Sequence, residues 1–231
     1  MSLVERLVML PAYDEHFQQF SWYQHSVYKL AIKHVDKFRG AIDIGAHVGY
    51  FSMYMAHDFE KVVAFEPIAI NAKCWEHNLV ADTNATLFQA AVGNSIQPLR
   101  MTMPDHVNSG SWAVADYGHE VVEQVILDNF HFVNIDYIKI DVQGYELAVL
   151  KGAVRTINHS KPIIQLEMST EESIRKAGGF MSKLGYAPVE QYKDDVIWKF
   201  TGEYNKKRLV KLHVSQEAYD NYITQKEVHS A

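Results

Sequence analysis

Along the chain, short apolar runs recur at intervals that leave room for a helix between neighbours. AIDI (residues 41–44), VVAF (62–65), TLFQAAV (86–92), DYIKID (136–141) and PIIQLEM (162–168) are each of strand length and read as buried on both faces. Segments of helical composition at 49–57, 68–80, 120–130 and 145–158 lie between most of them. Strand and helix repeated in this way build a parallel sheet with helices on both faces. After Glu167 the rhythm changes to a helix near 171–184, a turn at Leu184-Gly185-Tyr186 and a strand DVIWKF at 195–200. Two closing strands, one of them antiparallel, complete the expected sheet. Residues 12–38 mix aromatic and polar positions without alternation, and Leu30, Ile32 and Val35 share a helix face that ends near Gly40. The charged, weakly periodic residues 203–231 read as a surface helix. The expectation is one α/β domain over residues 1–231. It has a helical preface (1–40), a Rossmann-like core (41–200) and a C-terminal tail (201–231), with no internal repeat or interdomain linker.

Composition narrows this picture. With 231 residues, 48% of them apolar, the chain is long enough to bury one sizeable core. Its formal net charge of −6 argues against nucleic acid as a partner. A lone cysteine, Cys74, forms no internal disulfide, which fits a reducing cytoplasm. The opening MSLVERLVML carries both signs of charge and meets Pro11 before an apolar run reaches signal-peptide or membrane length, so no targeting or membrane anchor is expected.

In an open parallel sheet, ligands bind beyond the carboxyl ends of the strands, most often at the turn after the first. AIDIGAHVGYFS (41–52) has the sequence of such a turn. Gly45 and Gly49 permit tight turning and close approach, Ala46 is a further candidate for cofactor contact, and Asp43 offers a carboxylate to a ligand ammonium. A dinucleotide fold needs Gly-x-Gly-x-x-Gly so that a pyrophosphate reaches backbone amides. Here the middle glycine position is His47, which obstructs a diphosphate and favours S-adenosylmethionine over NAD. Glu66, about twenty residues beyond the glycine turn, stands where an acid accepts bonds from both ribose hydroxyls, and Pro67 stops its strand. In FQAAVGN, Gln89 is placed to bond an adenine edge, while Ala90 and Ala91 leave room for the ring. Small residues there serve plain packing equally well.

These segments, taken in order, resemble the FkbM-type methyltransferases from about residue 41 to 200. DIGAHVGYFS, AFEP, the AAVGN turn, NSGSW, DYIKIDVQGYELAVLKGA, PIIQLEMS and the LGY segment before DVIW all carry the likeness. The resemblance implies a seven-stranded methyltransferase fold, S-adenosylmethionine as methyl donor and a hydroxyl oxygen as acceptor. Members of that family act on sugars, polyketides and other small molecules, so the resemblance does not carry a particular substrate, and the leading expectation is a small molecule or glycan as acceptor. One position departs from the family pattern: DVEG is replaced by DVQG, with Gln143 removing a carboxylate.

Methylating an alcohol needs positioning and a base. Asp141, at the end of the fourth strand, is the first candidate for base or substrate orienter, and capping of the helix that follows is its alternative role. Glu146, Glu167 and His106 are further candidates. Glu167, costly to bury unpaired in PIIQLEM, is expected at the same cleft or beside a core cation. The stretch MPDHVNSGSW (103–112) breaks the rhythm, and His106, Asn108, Ser109 and Trp112 are candidate acceptor contacts unless it is an ordinary surface turn. Twelve histidines fall in no HxH or HExxH arrangement, so no structural zinc is expected. A magnesium ion with Asp141 as one ligand stays open. The rival readings are an NAD-dependent reductase, disfavoured by His47, and a cofactor-binding module without turnover.

Overall fold

The computed structural model of the chain describes residues 8–15 and 21–202, the side chains of 21–23 excepted. The tail helix expected over 203–231 lies outside the described residues. In chain order the first elements are α1 (Ser21–Ile32), β1 (Gly40–Ile44), α2 (Tyr50–Asp58), β2 (Lys61–Phe65), α3 (Ala69–Asn78), β3 (Ala85–Phe88), β4 (Ala91–Gly93), β5 (Leu99–Thr102), β6 (Ala113–Val114), β7 (Glu120–Val122) and β8 (Gln124–Ile126). A 3-10 turn (Leu127–Phe130) leads to β9 (Tyr137–Ile140), α4 (Glu146–Gly152), α5 (Val154–Ser160), β10 (Ile163–Glu167), α6 (Glu171–Ser173), a π-helical turn (Ile174–Gly178), α7 (Gly179–Lys183), β11 (Tyr186–Tyr192) and β12 (Asp195–Phe200).

Seven strands form one sheet in the order β11-β12-β10-β9-β1-β2-β3. The five strands from β10 to β3 are parallel, and β12 runs antiparallel between β10 and β11. The chain order reverses between β1 and β9, so the turns that follow these two strands open a crevice at their carboxyl ends.

The period of two along each strand sorts side chains onto two cores. Ile42, Ile44, Ile138, Ile140, Ile164 and Leu166 face Val149, Leu150 and Ile157 of α4 and α5. On the other side, Ala41, Val62, Tyr137 and Ile163 meet Val27, Tyr28 and Ala31 of α1 and Phe51, Tyr54 and Met55 of α2. This second face also carries a buried polar row: the register pairs Asp43 with Lys139 and Lys139 with Gln165.

Three expectations need correction. Residues 120–130 are no helix but the strands β7 and β8 followed by a 3-10 turn. Val121, Val122, Val125 and Ile126 are β-branched, and burial at Val122 and Gln124 around exposed Glu123 has period two. The run 86–92 is two strands, because a turn at Gln89-Ala90, with the Ala90 amide donating to the Phe88 carbonyl, sends β4 out of the main sheet to pair with β8. In α1 the buried face is Val27, Tyr28 and Ala31, and the helix ends at Ile32. Tyr28 sets this face by donating its hydroxyl proton to Asp58 Oδ2 at 2.8 Å.

Candidate active site

The turn after β1 is shaped by left-handed backbone at Gly45 (φ 76°), His47 (φ 52°) and Gly49 (φ 98°). Close approach decides the residue at 45, because a Cβ there would lie 1.8 Å from the backbone carbonyl oxygen of Asp141. What the glycine admits is therefore the turn after β9. At Gly49 a Cβ would strike Leu79 and Trp75 of α3, again a contact within the protein.

Asp43 is fully buried behind that turn, where Trp75 Nε1 donates to Ser52 Oγ (2.8 Å) and Ser52 donates to Asp43 Oδ2 (2.6 Å). It lies outside the cavity lining, so its expected contact with a ligand ammonium is replaced by an internal one. Lys139 Nζ stands 3.5 Å from Asp43 Oδ1 and 3.4 Å from Asp141 Oδ2, and donates to the Gly45 carbonyl at 2.7 Å. Burial lifts the Asp43 carboxyl despite Lys139 and Ser52. Burial also opposes the charge on Lys139, yet Asp141, Asp43 and Glu167 together raise its pKa, so the ammonium is held.

Asp141 and Glu167, from the ends of β9 and β10, form a second carboxyl pair. Gln143 Nε2 donates to Asp141 Oδ1 (3.0 Å) and to Glu167 Oε2 (2.7 Å). Asp141 pushes the Glu167 carboxyl well above the ordinary range, with burial adding to it. Burial works the same way on Asp141, but Lys139 and the hydrogen bonds from Glu167 and Gln143 outweigh it and lower the pKa. Together these effects keep the pair from carrying two negative charges at neutral pH.

At the end of β2, Glu66 is 5% exposed. Its Oε2 accepts from the His47 amide (2.8 Å), and its Oε1 from the Ile68 amide (2.9 Å) and the Asn71 side chain (3.4 Å). Burial still raises its carboxyl from 4.5 to about 7. Asn71 Nδ2 also donates to the Ser109 carbonyl at 3.0 Å, fixing the 103–112 loop over Glu66. The Ser109 hydroxyl donates to Asp14 Oδ2 and lies 2.5 Å from His47 Nε2. Burial lowers His47 to about 4, so its ring is neutral near pH 7.

These groups surround a cavity of about 280 Å³ at the carboxyl ends of β1, β2 and β9. Of the residues selected from sequence, Gly45, Ala46, His47, Glu66, Pro67 and Ala90 line it on the β1 and β2 side. Asn108, Ser109 and Trp112 line it from the loop, and Asp141 and Glu167 from β9 and β10. Gly49 lies outside the lining. Gln89 and His106 are exposed and also outside it. Glu146 is buried at the start of α4, outside the lining, and accepts from the Gly144 amide at 2.9 Å. Sequence reasoning passed over Lys139, Asn71 and Asp195, all of which face the cavity. Lys139 left a readable signal, an ammonium inside the apolar strand YIKI, which demands a buried acid nearby. Asn71 and Asp195 left none, since their approach depends on helix and sheet geometry. Among the described residues no group of His, Cys, Asp and Glu is arranged to hold a metal ion, and no helix is long and apolar enough to cross a membrane.

Comparison with known proteins places this geometry. The model of the methyltransferase FkbM domain matches residues 43–188. A solved structure of methyltransferase FkbM from Methylobacillus flagellatus is similar at 17% identity and a TM-score of 0.55, over 78% of this chain and 50% of that one. The chain thus spans half the length of that protein. Precorrin-6y C5,15-methyltransferase from Geobacter metallireducens is similar at 14% identity and a TM-score of 0.50, over 78% of this chain and 87% of its own. At such identities the likeness is one of fold. A search of curated proteins returned no match.

Proposed function

Because this chain belongs to the FkbM methyltransferase family, we propose that it transfers a methyl group from S-adenosylmethionine to a hydroxyl oxygen of a small molecule or glycan. The observation that carries the reading is the buried Glu66 carboxylate, presented to the cavity beside the glycine turn at the crevice where the strand order reverses. The strand order, with β12 antiparallel near the edge, also supports reading the core as the seven-stranded methyltransferase fold.

The residues present suit the cofactor. Glu66 retains acceptor capacity for a ribose diol, and Phe65, Pro67, Met101 and Trp112 give apolar walls for a purine. Among the described residues, Asn71 Oδ1 is a buried acceptor without a hydrogen-bond partner, as a ligand donor would supply. When bound, S-adenosylmethionine supplies an electrophilic methyl group on a sulfonium. A dinucleotide suits the turn less well, because the His47 amide is already committed to Glu66 and its side chain fills the middle glycine position.

The protein's part is positioning and proton transfer. Holding the acceptor oxygen in line with the methyl carbon contributes roughly 7–11 kcal/mol. Asp141, kept ionised by Lys139, takes the hydroxyl proton as the O–C bond forms and the S–C bond breaks. Replacement of the family's acid by Gln143 does not empty the site of a second carboxyl, since Glu167 stands there instead.

Calorimetry with S-adenosylhomocysteine and with NAD tests the cofactor. Binding of the first is expected, weakened about tenfold or more by Glu66→Ala. Binding of NAD alone would overturn the reading. On a panel of sugars and other alcohols, Asp141→Asn is expected to abolish methyl transfer while keeping cofactor affinity.

A further inference from the structure

Asp141 does not face the cavity alone, and the residue that joins it to Glu167 is the one at which this chain departs from the family pattern. Gln143 has a left-handed backbone (φ 52°) and is followed by Gly144 (φ 98°), a turn that folds its side chain back over the ends of β9 and β10. From there its amide nitrogen reaches one oxygen of each carboxyl, at 3.0 and 2.7 Å. A side-chain amide has two N–H donors, and this one divides them between two acids that would otherwise repel. On the far side of Asp141, Lys139 Nζ stands 3.4 Å from Oδ2.

We propose that Gln143 is a positioning residue that bridges Asp141 and Glu167 into one unit, so that the acceptor's proton is received by the pair rather than by an isolated Asp141. The inference rests on the methyl-transfer reading given above. A carboxylate at 143 has no proton to donate when ionised, and would add a further negative charge beside one ammonium. The amide supplies the bridge at every pH. In the forward step the acceptor O–H bond breaks and its proton passes to Asp141, while the O–CH3 bond forms and the sulfonium leaves as a neutral thioether. The pair then holds two protons, one of which returns to solvent before the next turnover.

The titratable groups facing the pair are Lys139 on β9, Asp43 behind it on β1, Asp195 on β12 opposite Glu167, His47 across the cavity, and Glu146 on α4. Glu146 accepts from the Gly144 amide, a backbone bond that does not use the Gln143 side chain.

The test is the pH titration of the Asp141 and Glu167 side-chain carboxyl carbons by 13C NMR, in the protein without ligand and with S-adenosylhomocysteine. In the parent protein Asp141 is expected to titrate below the ordinary carboxylate range and Glu167 to stay protonated through neutral pH. In Gln143→Glu the Asp141 midpoint should rise by about one to three pH units. Gln143→Gly, which relaxes the left-handed backbone and removes the bridge, should also raise the Asp141 midpoint. Identical Asp141 titration in all three proteins overturns the proposal. Failure of the methyl-transfer reading would register separately, as absence of S-adenosylhomocysteine binding to the parent protein, whatever its carboxyls do.

Discussion

The ammonium of Lys139 donates a hydrogen bond to the carbonyl oxygen of Gly45 over 2.7 Å, tying the middle of β9 to the turn that leaves β1. The same group balances Asp43 and Asp141, and it lies 5.1 Å from the centre of the Phe51 ring. Lys139→Met keeps the stem and removes the charge. Urea unfolding should show a loss of about 3–5 kcal/mol, the cost of leaving buried acids without their cation. Adding Asp43→Asn should recover part of that loss. A double variant whose cost equals the sum of the two single costs would mean that the pair is not coupled.

His47 and Glu66 titrate against each other in stability. Burial raises Glu66 from 4.5 to about 7, so the folded protein holds that proton longer than the unfolded chain. The contribution is fully present below pH 4.5 and is lost as pH rises to 7, an effect of about 3 kcal/mol. Burial lowers His47 from 6.5 to about 4, so its contribution is present above pH 6.5 and is lost as pH falls to 4, again about 3 kcal/mol. Between pH 4.5 and 6.5 the two slopes oppose. Relative to the parent, His47→Asn should make stability fall more steeply with rising pH in that window. Glu66→Gln should make it rise. Parallel pH curves for the three proteins would refute both contributions.

Hydrogen-bond bookkeeping sets the tautomer of His47. The Ser109 hydroxyl spends its one proton on Asp14, so the ring nitrogen 2.5 Å from Ser109 Oγ must be the donor. Nitrogen-15 shifts should show the neutral Nε2–H form, persisting well below pH 6. A dominant Nδ1–H form would reverse the proton order along this chain.

Gly45→Ala should cost about 4 kcal/mol or more, because the added methyl would meet the Asp141 carbonyl at 1.8 Å and the backbone is left-handed. Thermal unfolding gives the cost. S-adenosylhomocysteine binding should be lost with it, since the turns after β1 and β9 have to separate. A variant of near-parent stability would show that the two turns are not in contact.

The alternation of apolar runs and helical segments was legible because burial on two faces dictates composition directly, and β1, β2, β9 and β10 all lie close to where that pattern puts them. Glu66 was legible for a related reason, being an acid at a strand end at a fixed distance from a glycine turn. Asp43 was misplaced because residue type alone does not reveal which way a strand-end carboxylate faces. Only its register with Lys139 turns it inward. Gln89 was read as part of one continuous strand, and the turn that exposes it comes from β4 leaving the sheet to pair with β8, a partner more than thirty residues later. The helix expected at 120–130 is absent because Val121, Val122, Val125 and Ile126 suit an extended, half-buried strand.

The polar row across β1, β9 and β10 bears on how the chain reaches this arrangement at all. Parallel neighbours made of similar aliphatic runs offer several pairings of nearly equal burial, and a shift of one residue exchanges the two faces of a strand. Such a shift in β9 would drive Lys139 among Val149, Leu150 and Ile157 and strand Asp43 without a counter-charge. The cost of that misalignment is several kcal/mol, comparable to the whole stability of a domain of about 5–15 kcal/mol. The charges beneath the crevice thus act as an alignment key during assembly, rejecting out-of-step sheets that apolar side chains alone would tolerate.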